Sequence, residues 1–134
     1  MPTRFSRFLS VLFLMACSLS AVAEVLVVTD SRHPVQGIPD ARLIELDRAA
    51  RIEAELSAKL PADPERAAYA ARQRVQDPEL QRRLQSAYQG IAEARSLNLA
   101  KVPAVVVDRR YVVYGDPDVS RAVARIETYR RMQP

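Results

Sequence analysis

Val102-Pro103-Ala104-Val105-Val106-Val107-Asp108-Arg109-Arg110-Tyr111-Val112-Val113-Tyr114-Gly115 is the stretch on which the fold turns. Two β-rich runs flank Asp108-Arg109-Arg110, the pattern of a tight antiparallel hairpin. Tyr111, Val113 and Gly115 alternate with Val112 and Tyr114, so Tyr111 and Tyr114 fall on opposite faces of the sheet. Gly115 supplies a backbone angle that few other residues accept before the next element begins. Upstream, Glu24-Val25-Leu26-Val27-Val28-Thr29 is a continuous β-branched run, as suits a strand buried on both faces. It stops at Asp30-Ser31-Arg32-His33-Pro34, a turn signal. Val35 to Asp40 is irregular, with Gly37 and Pro39, and Arg42 to Leu46 reads as a short second strand.

Helices fill the space between these strands and follow the hairpin. Asp47 opens one whose Ala49, Ile52, Leu56 and Leu60 share a face. Asp63-Pro64-Glu65 opens the next. Asp77-Pro78-Glu79 opens a third, with Leu80, Leu84, Ala87, Ile91 and Ala94 as its stripe. Asp116-Pro117-Asp118 opens the last, with Val119, Val123, Ile126 and Tyr129 inward. In each triplet Asp accepts orphan amide hydrogen bonds, Pro fits N1, and the following acid favours the positive helix end. Core packing accounts for Tyr69 and Tyr88. The order β, β, α, α, α, β, β, α predicts a mixed α/β sheet flanked by helices, with a C-terminal β-hairpin and closing helix.

The N-terminus bears on compartment. Met1 to Arg7 is short and basic, Phe8 to Ala16 is apolar apart from Ser10, and Ala21-Val22-Ala23 is a small-x-small cleavage pattern. Residues 1–23 therefore read as a Sec-type signal peptide, leaving 24–134 as a single periplasmic domain. The apolar run is too short to span a membrane, and no second span follows it. Cys17, the only cysteine, would leave with the signal. The exported chain would then have no disulfide, thiolate nucleophile or Cys-based metal site. A lipoprotein route through Leu14-Met15-Ala16-Cys17 is the minor alternative.

Composition argues against nucleic acid as a partner. Removal of Arg4 and Arg7 takes the formal charge from +4 to +2. Arg is interspersed with Glu and Asp along the helices, as on a solvated face, and makes no basic stripe with interleaved aromatics. There is no Trp and there are only three Gly, so stacking platforms and Gly-rich phosphate loops are poorly supplied. No cofactor is expected.

A strand, a helical stretch, Val-Pro entering a hairpin, Gly at its end and a closing helix together resemble the thioredoxin-like fold. The resemblance implies that Pro103 is the cis proline before the third strand, facing the loop Ser31-Arg32-His33-Pro34. Redox members carry Cys-x-x-Cys at that loop. Here Ser31 and Pro34 hold the corresponding places, and a hydroxyl cannot perform thiol exchange. A narrower resemblance rests on Thr29-Asp30-Ser31-x-His33-Pro34-Val35, Glu45-Leu46-Asp47, Leu56-Ser57-x-x-Leu60-Pro61 and Asp63-Pro64-Glu65. Ala87-Tyr88-Gln89-Gly90 and Val102-Pro103-Ala104-Val105-Val106 with Val112-Val113-Tyr114-Gly115 complete it. These segments are similar to a family of exported integrating conjugative element proteins. That family is similar in outline to the pilus-assembly proteins of F-type conjugation. The resemblance implies an accessory role in a type IV secretion system, protein partners from that machinery, and no assigned catalytic residue.

The candidate contact surface comprises Thr29, Asp30, Ser31, His33, Pro34, Pro103 and Tyr114. An alternative makes the loop a small periplasmic hydrolase site with Asp30, Ser31 and His33 as a triad. A triad needs a preorganised geometry and an oxyanion hole, which three residues of one short loop rarely supply. Zinc sites use three or four protein ligands, and one His with scattered carboxylates makes a poor set.

Overall fold

The computed structural model of the protein describes residues 23–37 and 40–133. Apart from Ala23, the expected signal peptide lies outside these residues, as do Cys17 and Pro39. The chain runs β1 (Val25–Thr29), β2 (Arg42–Glu45), α1 (Arg48–Ala58), α2 (Pro64–Val75), α3 (Pro78–Ser96), β3 (Ala104–Val107), β4 (Tyr111–Tyr114) and α4 (Val119–Met132). The strands form one mixed sheet in the order β2-β1-β3-β4. β1 is parallel to β2 and antiparallel to β3, and β3 is antiparallel to β4. The mixed α/β architecture read from the sequence is the one observed.

The two central strands are the apolar runs. Leu26 to Val28 and Ala104 to Val107 are all buried, because each face of these strands is covered. On one face Leu26, Val28, Ile44 and Val106 pack with Ala94 of α3. On the other Val27 and Val105 pack with Val119 and Ala122 of α4. A satellite core of Ala49, Ile52, Leu80 and Ala87 joins α1 to α3.

The hairpin turns as its sequence requires. Asp108 and Arg109 both adopt positive φ, 53° and 52°, and Arg110 N–H donates to Val107 O at 3.1 Å. Two consecutive left-handed residues match the right-handed twist of the flanking strands. Gly115 has φ +75° and its N–H donates to Pro103 O at 2.8 Å. The Val102–Pro103 peptide bond is cis, as the resemblance implied for Pro103.

Among the described residues, no helix stands between the parallel strands β1 and β2. A parallel connection usually carries one. Here the connection is held by the start of α4 instead. Gln36 N–H donates to Pro117 O at 2.8 Å, Val119 N–H donates to Gln36 O at 3.0 Å, and Val35 and Ala41 pack on the α4-side core.

Three expectations are corrected. Asp63 and Asp77 cap their helices through the side chain, as expected, accepting from the amides of Arg66 and Glu79. The third triplet behaves differently: α4 begins at Val119 and its cap is Asp118, which accepts from Arg121 N–H. Asp116 lies before the helix, buried, and takes the Asp118 amide and the Arg121 guanidinium. Asp47 precedes α1 without a side-chain cap bond, because its carboxylate is engaged elsewhere. Tyr69 and Tyr88 are not core residues. They are 66% and 52% exposed, α2 buries no residue at all, and Tyr129 of α4, expected inward, is likewise exposed.

Candidate functional site

The loop after β1 is organised by four short-range bonds. Thr29, buried at the strand end, donates its hydroxyl to His33 O at 2.5 Å. His33 N–H donates to Asp30 O at 3.1 Å, and the His33 Nδ1 lies 2.7 Å from Asp30 Oδ1. The same Oδ1 accepts Arg32 N–H at 3.0 Å. These residue types bond their own neighbouring backbone readily, which is why the strand ends here. Asp30 is buried, whereas Ser31, Arg32, His33 and Pro34 are exposed.

A second carboxylate locks the loop from below. Asp47, at the start of α1, accepts both the Ser31 amide, at 3.1 Å, and the Ser31 hydroxyl. Its other oxygen, Oδ1, is buried without a hydrogen bond, and the Arg51 guanidinium stands 3.8 Å from it. Both carboxyls are held below the usual aspartate range. For Asp30 the principal cause is the His33 hydrogen bond, opposed by partial burial and assisted by Arg32. For Asp47 it is the Ser31 hydroxyl, again against partial burial, with help from the Ser31 amide and Arg51. Each stays ionised because hydrogen bonds to the charged form outweigh desolvation.

Pro103 and Tyr114 belong to the same end of the sheet. Val28 pairs with Ala104 and Ala104 with Tyr114, so Thr29 and Pro103 follow the final β1–β3 pair. Pro103 is buried. The Tyr114 hydroxyl accepts Ala100 N–H at 3.3 Å, and Lys101 stands over its ring at 5.9 Å. The structure thus brings Thr29, Asp30, Ser31 and His33 into one bonded loop, with Pro34 exposed beside them. Pro103 and Tyr114 share their end of the sheet.

Ser31, His33 and Asp30 do not form a nucleophile–base–orienter chain. Asp30 orients His33, but Ser31 donates its hydroxyl to Asp47 rather than to the imidazole. Among the described residues no group of three or more His, Cys, Asp or Glu side chains converges to hold a metal ion.

A family model described as a protein of unknown function, DUF1525, matches residues 22–132. The chain belongs to the DUF1525 family. No curated protein and no solved structure matches it. In this DUF1525 chain the residues that sequence reasoning missed are the ones that act at a distance. Asp47 lies 16 positions from the serine it holds. Asp116 and Arg121 read separately as a cap and a surface cation. The exposed edge of β4 adjoins apolar and basic side chains of α4. For the Asp116–Arg121 pair the only local signal is the five-residue spacing.

Proposed function

We propose that the protein is a periplasmic, non-redox, thioredoxin-like accessory protein of the conjugative type IV secretion system of an integrating conjugative element. It binds protein components of the secretion or pilus machinery and turns over no substrate. The supporting observation is the placement of the β1 loop. Ser31, His33 and Pro34 stand exposed at the sheet end where Val102-Pro103 enters β3, and by the thioredoxin-like resemblance Ser31 and Pro34 would hold the places of redox cysteines. A thiol exchange site at that loop has no thiol to work with. What remains there is a rigid, hydrogen-bonded polar surface, which suits recognition. The exported location is in keeping with the basic-apolar-small pattern of residues 1–23 and with a family match that starts at residue 22. The link to conjugation rests on the segment resemblances given above.

The test is a clean deletion of the gene from its element, with transfer frequency as the readout. Wild type in trans should restore transfer. A His33→Glu variant with unchanged circular dichroism should restore it poorly. A photocrosslinker at position 33 should then yield adducts with secretion-channel or pilus components. Unimpaired transfer after deletion sinks the proposal, as does disulfide reductase or isomerase activity of the exported chain.

A further inference from the structure

The far edge of the sheet carries a second feature, independent of the β1 loop. β4 has β3 on one side and, among the described residues, no strand on the other. Gly115 N–H bonds Pro103 O and Tyr111 pairs with Val107, so Tyr111, Val113 and Gly115 turn their backbone groups toward β3. In an antiparallel ladder the alternate residues then face outward. Val112 and Tyr114 therefore present free N–H and C=O groups along this edge. Beside it a groove of about 700 Å³ opens between β4 and α4. Tyr111, Val113, Ile126, Tyr129 and Met132 give it an apolar floor and wall. Val112, Tyr129 and Met132, three of the larger exposed hydrophobic residues of the described chain, all border it. An apolar patch beside an unpaired strand edge is the arrangement used to add a peptide strand.

Charge decides the occupant. Arg110, Arg121 and Arg125 line the groove and no carboxylate does, but Arg121 and Arg125 are already paired with Asp116. Arg110 has no ion pair among the described residues, and its guanidinium lies over the Tyr111 ring at 5.4 Å. Arg130 lies over the same ring at 5.6 Å. A second copy of this chain would bring the same arginines against one another across paired β4 edges. We propose that the β4–α4 groove binds an extended segment of a partner protein, added as a further strand on β4, in which every second side chain faces the groove and these are in turn apolar and acidic. The backbone of that segment pairs with Val112 and Tyr114. Its groove-facing apolar side chains lie on the apolar floor and its groove-facing acidic ones meet Arg110. The proposal does not rest on the conjugative reading, and holds or fails without a transfer phenotype.

The experiment uses the exported chain, residues 24–134, labelled for amide NMR. The probe is a short capped peptide repeating Val-Thr-Glu-Thr, which sets Val and Glu in turn on one face of a strand. Its controls replace Glu by Lys or carry N-methyl groups on alternate backbone amides. The Val/Glu peptide should shift and protect the Val112 and Tyr114 amides, in a salt-sensitive way. The Lys and N-methyl peptides should not. Arg110→Glu, at an exposed position away from Asp116, should weaken the Val/Glu peptide by at least about tenfold without changing the melting temperature. Equal binding of the Lys peptide removes the charge argument, and equal binding of the N-methyl peptide removes strand addition. Shifts confined to other strands, or no binding of the Val/Glu peptide at millimolar concentration, overturn the proposal. So does concentration-dependent pairing of β4 with itself.

Discussion

The guanidinium of Arg121 reaches back five residues and grips Asp116 with two nitrogens, Nε at 2.9 Å from Oδ2 and Nη2 at 2.5 Å from Oδ1. Arg125 adds a longer contact at 3.8 Å, and Asp118 N–H donates to the same carboxylate. Asp116 is thereby buried and ionised, with its pKa pulled down to about 2 chiefly by the Arg121 bond. Unfolded, it would titrate near ~3.9. The depressed folded value means that its stabilisation is fully present above the unfolded value and is lost as pH falls toward 2. Asp116→Asn should lower the melting temperature at neutral pH and flatten the decline between about pH 4 and pH 2. Asp30, Asp47, Glu55 and Glu93 are shifted in the same direction, so a residual slope remains. A wild-type acid branch in the variant would contradict this account.

Asp47 holds the β1 loop through Ser31 rather than capping α1. Asp47→Ala should therefore speed hydrogen exchange of the Ser31 amide by at least about tenfold, since a protected donor is released. Exchange in the body of α1 should change little, because no side-chain cap bond is lost. Preferential loosening of α1 would assign Asp47 to the helix instead.

The Asp30–His33 bond can be read from either partner. His33→Ala removes the largest cause of the lowered Asp30 pKa and leaves the opposing burial in place. The Asp30 carboxyl should then titrate at higher pH, followed by its carbon-13 shift. Acid resistance contributed by this loop should decline in step, because a smaller downward shift stabilises the folded state less at neutral pH. An unmoved titration would show Arg32 alone to be sufficient.

Gly90 lies where α3 crosses β2. A Cβ built there would stand 3.2 Å from Ile44 Cγ2. Alanine gains roughly 1 kcal/mol of helix propensity, which crowding against Ile44 offsets. Gly90→Ala should accordingly be close to neutral, within about 1 kcal/mol. Gly90→Leu forces the two elements apart and should cost about 1–3 kcal/mol, measured by urea unfolding.

Legibility in the sequence followed the range of the interaction. The runs Val25-Leu26-Val27-Val28 and Ala104-Val105-Val106-Val107 announce strands buried on both faces, because nothing in them could face water. Asp63 and Asp77 announce their helices, because a cap bonds an amide two or three residues away. The same three-residue pattern misled at Asp116, where a competing guanidinium one and a half turns along took the carboxylate. Asp47 misled likewise, its partner lying on a loop that the sheet folds back against it. Tyr69 and Tyr88 show the limit of composition: an aromatic on a helix says nothing of which way it turns. The Tyr88 hydroxyl spans out to Glu53 at 2.5 Å, across to α1. The β4–α4 groove was invisible because Val112 and Met132 each look like an ordinary exposed hydrophobic until the fold sets them side by side.

Helix α2 has no buried residue, and among its contacts Arg74 hydrogen-bonds the carbonyls of Leu56 and Lys59 at the end of α1. It behaves as a strap across a helix end rather than as a wall of the core. Its outer positions are consequently the natural place to mount a label. A fluorophore or epitope on the Arg72 side would ride on the molecule in cells while leaving both the β1 loop and the β4 edge untouched.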